Sequence, residues 1–138
     1  MGDYDPQSTR LLTFFDAVGD FESGRDTPRD YLERSIATIE ARERDVKAFV
    51  VMDLDRSRAA ADASTERYKA GQPLSLIDGM PMGIKDLYDT ADMPTQLNSP
   101  LFEGMQPEFD AASVYALKQG GAVIVGKTTT TEFGLGAS

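Results

Sequence analysis

Apolar positions in the first half of the chain recur at helical spacing, while in the second half they gather into short runs that suit strands. Leu11, Phe14, Phe15 and Val18 follow Ser8, a residue type that caps helices, and predict a short amphipathic helix ending near Gly19. Residues 20–26 read as a loop. Thr27, Pro28 and Asp30 then open a second helix, because threonine caps, proline suits the first helical position and an acid is favoured in the first turn. Leu32, Ile36 and Ile39 give that helix one apolar face, and Asp30 with Arg34 and Glu40 with Arg44 are acid-before-base pairs at stabilising spacing. These charges are read as a solvated face.

Residues 47–52, KAFVVM, are aromatic and β-branched and predict a strand. Asp53 is placed to cap a helix running to about Ala70, with Leu54, Ala61 and Tyr68 on one stripe and Gly71 as its stop. A loop over 72–78 leads to GMPMGIKD at 79–86, read as a strand. Residues 87–106 contain Pro94, Asn98, Ser99, Pro100 and Gly104, and form a long irregular loop of the kind that is often functional. Asp110 is placed to cap a helix over 111–119 with Val114 and Leu117 inward. The run AVIV at 122–125 then suits a strand covered on both faces. Helices alternating with strands indicate an α/β architecture in one domain.

The strand at 79–86 ends in two adjacent opposite charges. Side chains alternate along a strand, so Lys85 shares a side with Gly83, while Asp86 shares the other with Met82 and Ile84. The two charges therefore do not simply neutralise each other. Either the strand lies at a sheet edge with Lys85 in water, or Lys85 is buried. Most lysines are exposed. A buried one is pushed towards its neutral form and becomes a usable base, and lowering its pKa from about 10.4 to about 7.5 would cost roughly 4 kcal/mol.

Composition narrows the chemistry further. Fourteen basic residues against twenty-three acidic ones give a net charge of −9, which disfavours direct nucleic-acid binding and anionic membrane surfaces. The 138 residues contain no His, Cys or Trp. A Ser-His-Asp triad, a cysteine nucleophile, a disulfide and a Cys/His zinc site are thus excluded within them, and any base is a lysine or a carboxylate. Neither a metal nor a cofactor is expected. With no signal-like or membrane-length apolar run, a cytoplasmic location is the expectation.

Residues 121–128, GAVIVGKT, fit the nucleotide-binding pattern GxxxxGKT letter for letter. The context argues against it, because a helix precedes the first glycine and four apolar, mostly β-branched residues fill the space where a loop should wrap.

A wider set of residues carries a different likeness. GMPMGIKDLYDTADMPT, the loop containing Asn98-Ser99-Pro100, the segment DAASVYALKQGGAVIVGKT at 110–128, and Thr131-Glu132-Phe133 occur in an order that resembles the amidase signature family. The likeness is strongest from Gly79 to Phe133. Thr129, where many members have Asn, and the stretch 96–99, which lacks the usual Gly-Ser, depart from the pattern.

The resemblance implies an amide hydrolase built on a mixed sheet covered by helices. The family uses a Ser-cisSer-Lys triad in which a neutral lysine serves as base, and on this pattern Lys85 is that base, held inside the folded body, with Asp86 as a structural partner. Gly134 and Leu135 fall where members line the acyl-binding cavity, though an apolar loop beside a core explains them equally. The family's two serines lie in a stretch of the GGSSGGS type, which does not occur among these residues, and Ser99, Ser113 and Ser138 match neither.

The expectation is therefore the N-terminal part of a single amidase domain over 1–138, with a helical leader at 1–71 and the family motifs at 79–138. It supplies the lysine alone and is inactive by itself. Its substrate would be a small-molecule amide, and a homodimer stays open. The alternatives are an amidotransferase A-type subunit that releases ammonia from glutamine, and a noncatalytic truncated product.

Overall fold

A computed structural model describes residues 13–136; Ser8, Leu11 and Ser138 lie outside the described residues. Helix α1 (Phe14–Ser23) starts at Thr13, whose backbone N–H donates to the Asp16 carboxylate at 3.0 Å, and stops at Gly24 in the left-handed conformation. It continues through residues 20–23, expected as loop, because Phe21 is buried and stacks edge-on against Tyr68 with ring centroids 5.4 Å apart. Helix α2 (Pro28–Val46) begins as expected, with the Thr27 hydroxyl accepting from the Asp30 N–H at 3.0 Å.

Its ion pairs differ from those expected. Arg34 bonds Asp26 rather than Asp30, and Glu33 is held between Arg29 and Arg58 at 2.9 and 2.8 Å. Lys47 then turns left-handed at the helix end, which shortens the following strand β1 to Phe49–Met52. Helix α3 (Leu54–Lys69) is capped by Asp53, whose carboxylate accepts from the Arg56 N–H at 3.1 Å.

Strands β2 (Pro81–Lys85) and β3 (Val123–Thr128) complete a three-stranded mixed sheet of order β1-β3-β2, with β3 antiparallel to β1 and parallel to β2. The connection between β2 and β3 passes through the long loop, with a 3₁₀ turn at Pro100–Phe102, and helix α4 (Ala112–Gln119). Ala111 takes the cap position of α4 in place of Asp110. The Asp110 carboxylate instead accepts from the Ala91 N–H at 2.8 Å and from Lys118 Nζ at 2.9 Å, tying the long loop to the helix.

The sheet is covered on both faces, as the unbroken apolar run of β3 requires. Leu32, Ile36 and Ala61 of α2 and α3 pack on Val123 and Val125. Val114 of α4, with Met93 of the long loop, packs on Ile84, Ala122 and Ile124 from the other side. Each large aliphatic side chain fully withdrawn from water contributes about 1.5–3 kcal/mol, so the central strand is anchored by its own composition. Among the described residues, no helix is long and apolar enough to cross a membrane.

Candidate active site

The C-terminal ends of β2 and β3 lie side by side, Lys85 pairing with Thr128. Backbone bonds fix this end from two directions. The Asp86 N–H donates to Thr128 O at 2.9 Å, and the N–H groups of Leu87 and Tyr88 fold back onto Lys85 O at 2.7 and 3.0 Å. The chain therefore leaves the sheet in a tight turn immediately after Lys85.

Alternation places side chains as the sequence requires: Ile84 and Asp86 are buried, while Gly83 and Lys85 face the other way. Burial of Lys85 does not follow. Its side chain is exposed on the face of β2 that it shares with Gly83, and an apolar groove of about 360 Å³ is lined by residues 80–83 but not by Lys85. Among the described residues the Lys85 amine has no hydrogen-bond or ion-pair partner, so no carboxylate there holds it as an ion pair.

The buried lysine is Lys127. It has no solvent exposure, and its Nζ donates to Thr95 Oγ1 at 2.6 Å and Pro94 O at 3.1 Å and lies 3.2 Å from Asp86 Oδ1. Burial pushes this ammonium below the ordinary lysine range, and the Asp86 carboxylate only partly offsets that. Both Asp86 oxygens also accept from the Gln96 N–H at 3.2 Å. With three acceptors around three N–H groups, Lys127 is a closed tie between β3 and the long loop, whereas Lys85 is open.

Lys127 reaches that position through a β-bulge. Met82 pairs with Ile124 but Gly83 pairs with Gly126, so Val125 is the extra residue and the alternation of β3 flips beyond it. Lys127 consequently pairs with Ile84 and lies on the Asp86 side. Because residues 123–128 are strand, no loop wraps between Gly121 and Gly126, and the nucleotide-binding pattern lacks the geometry it needs.

The turn after β3 closes on the same end of the sheet. Gly134 is half-buried with φ +70°, in a 3₁₀ turn at Glu132–Gly134, and a Cβ there would stand 2.5 Å from Leu87 Cδ1. The structure thus brings Gly134 against the residue two positions after Lys85. Leu135 is 76 % exposed. A second tie, which sequence reasoning missed, joins this turn to the long loop: Ser99 Oγ donates to Glu132 Oε1 at 2.9 Å, and the Phe133 N–H to Leu97 O at 2.9 Å. Ser99 is thereby committed to Glu132, and Ser113 is exposed on α4.

Residues 30–138, most of the chain, match the family model described as Amidase. The chain belongs to the amidase family. It is 39% identical over 117 residues to the A-type subunit of glutamyl-tRNA(Gln) amidotransferase from Rhodopirellula baltica, an alignment that covers 85% of this chain and 23% of the relative. Among solved structures, it resembles a vestigial protein complex that bears on the origins of an s-triazine catabolic enzyme, with a TM-score of 0.82 at 32% identity over 88% of this chain and 27% of that one. It also resembles an amidase, with a TM-score of 0.76 at 31% identity over 91% of this chain and 28% of that one. The chain therefore spans about a quarter of the length of the proteins it matches. In this amidase-family chain the matched segment contains all three strands and the whole Lys85–Lys127 arrangement.

Proposed function

We propose that this chain forms the general-base portion of an enzyme that hydrolyses the carbon–nitrogen bond of a small-molecule amide, with Lys85 as the base. One observation carries the reading. The Lys85 amine has no partner among the described residues, yet it stands on a backbone fixed by Thr128 and by the turn at Leu87 and Tyr88. An unpaired amine on a rigid edge strand is available to a hydroxyl arriving from further polypeptide.

In the Ser-cisSer-Lys scheme, Lys85, once buried and made neutral by the further polypeptide, accepts a proton from the bridging serine, which takes one from the nucleophilic serine as its oxygen bonds the amide carbon. Collapse of the tetrahedral intermediate breaks the C–N bond, and the proton passes to the departing amine. Water then cleaves the acyl-enzyme. Both serines would belong to polypeptide outside these residues, so 1–138 is read as the N-terminal part of one amidase domain, working in the cytoplasm. Gly134 and Leu135 are proposed to border the acyl group.

The test is Lys85→Ala in the full-length protein. Loss of a general base should lower turnover by roughly 100- to 10,000-fold. Turnover that survives the substitution refutes the role.

A second reading is favoured by the relatives named as the A-type component of glutamyl-tRNA(Gln) amidotransferase: the same Lys85 chemistry would release ammonia from glutamine within a multi-subunit enzyme. Glutamine hydrolysis that rises on adding partner subunits supports it. Efficient hydrolysis of simple amides by the protein alone, as a monomer or a homodimer, supports the first.

A further inference from the structure

The proposed chemistry leaves one buried charged network without a task, and that network lies one residue from Lys85. Lys127 and Asp86 are 0% and 1% exposed. A buried pair of opposite charges is a weak stabilising device, since its desolvation consumes most of what its attraction returns and an apolar pair of similar volume often serves as well. Its distinctive property is that only one arrangement satisfies it.

Here that arrangement is set by Nζ of Lys127, which gathers Asp86 Oδ1, Thr95 Oγ1 and Pro94 O from the long loop onto the end of β3. The carboxylates that act on it are Asp86, Asp89 and Asp92, the last of which is itself paired with Arg56 and Lys118. Asp86 is in turn fixed at its backbone by Thr128 and at its side chain by the Gln96 N–H. The bond between residues 85 and 86 is thereby held from the buried side of the sheet while the Lys85 side chain projects from the opposite one.

We propose that Lys127 is a positioning residue for Lys85. By clamping Asp86, it fixes the direction in which the Lys85 amine leaves β2. The inference rests on the reading of Lys85 as general base and goes beyond it in assigning a task to a lysine that never touches substrate.

The experiment compares four variants of the full-length protein by steady-state amide hydrolysis and thermal unfolding: Lys127→Met, Lys127→Met with Asp86→Asn, Thr95→Val, and Lys85→Ala as reference. A displacement of the base of about 1 Å is enough to cost roughly 100-fold in rate. Lys127→Met is expected to lower kcat by about that factor with KM unchanged, and to lower the unfolding midpoint because Asp86 is left buried without its cation. The double variant leaves no orphaned charge, so its midpoint recovers, but its kcat stays low because the clamp is still absent. Thr95→Val removes the shortest of the three bonds and lowers kcat to a smaller degree, which keeps the test alive if Lys127→Met does not fold.

Recovery of kcat together with the midpoint in the double variant overturns the proposal and makes the pair merely structural. So does an unchanged kcat in Thr95→Val. Retained turnover in Lys85→Ala would instead remove the general-base reading beneath it, so the two failures are distinguishable.

Discussion

The entry of the chain into β2 depends on Asp78, and its removal is a quantitative test of how this sheet is aligned. Asp78 is fully buried and accepts from Arg67 Nε and Nη2 at 2.8 and 2.6 Å and from the Leu74 N–H at 2.8 Å. The next residue, Gly79, donates to Gly121 O at 2.9 Å, and Met80 O accepts from the Val123 N–H at 2.8 Å, so the carboxylate anchors the point where β2 meets β3. Burial raises the Asp78 pKa, but the hydrogen bonds from Arg67 and Leu74 outweigh it and hold the group below the ordinary carboxylate range.

Removing one member of a buried pair costs about 3–5 kcal/mol, and the partial exposure of Arg67 argues for the lower end. Asp78→Asn is therefore expected to destabilise the chain by about 3 kcal/mol at pH 7 in urea unfolding. The sign of the pH dependence follows from the direction of the shift. A carboxylate whose pKa is depressed in the folded state contributes stability that is present above its unfolded value, near 3.9, and lost as pH falls through the folded value. The difference between parent and variant should thus be constant from pH 7 to about 5 and shrink below about 4. A cost under about 1 kcal/mol at pH 7, or one that does not shrink in acid, would refute the argument.

Packing at the sheet and the arginine clamp on α2 each give a further expected outcome. A Cβ on Gly126 would lie 2.3 Å from Val51 O, which is backbone, whereas one on Gly83 would lie 2.6 Å from Thr128 Cγ2, which can rotate away. Gly126→Ala should therefore cost more than Gly83→Ala in urea unfolding, each by about 1–3 kcal/mol. Glu33, between Arg58 and Arg29, has its carboxyl lowered to about 2, and a side-chain NMR titration should find it still ionised at pH 3. Its contribution to stability is present above its unfolded value and lost as pH falls through about 2; a midpoint near 4 would show that these arginines do not hold it in solution.

What the sequence disclosed about the site, and what it concealed, separates along one physical line. Local rules carried far: the period of two sorted Ile84 and Asp86 from Gly83 and Lys85, and four apolar residues at 122–125 announced a strand covered on both faces. The family blocks were legible for the same reason, since each is a contiguous run. Where the order of strands decides an outcome, the sequence was silent. Lys85 is exposed while Ile84 and Asp86 of the same strand are buried, because what covers each face of β2 depends on how strands and helices are ordered around it, and no pattern within 79–86 states that.

Lys127 was concealed twice over. Counted from Val123 by simple alternation, it belongs with Val125 on the face of α2 and α3. The extra residue at Val125 moves it to the face of Asp86, Pro94 and Thr95. The signal lay in Gly126, one residue past the bulge and packed so closely on Val51 O that no side chain fits. A glycine within an otherwise β-branched run is where the alternation should be expected to break, and the next charged residue should then be tested on both faces. Applied to this chain, that rule marks Lys127 as a residue to test on the face of Asp86, and the fold then separates the two lysines: one is buried and bonded, the other exposed and without a partner among the described residues.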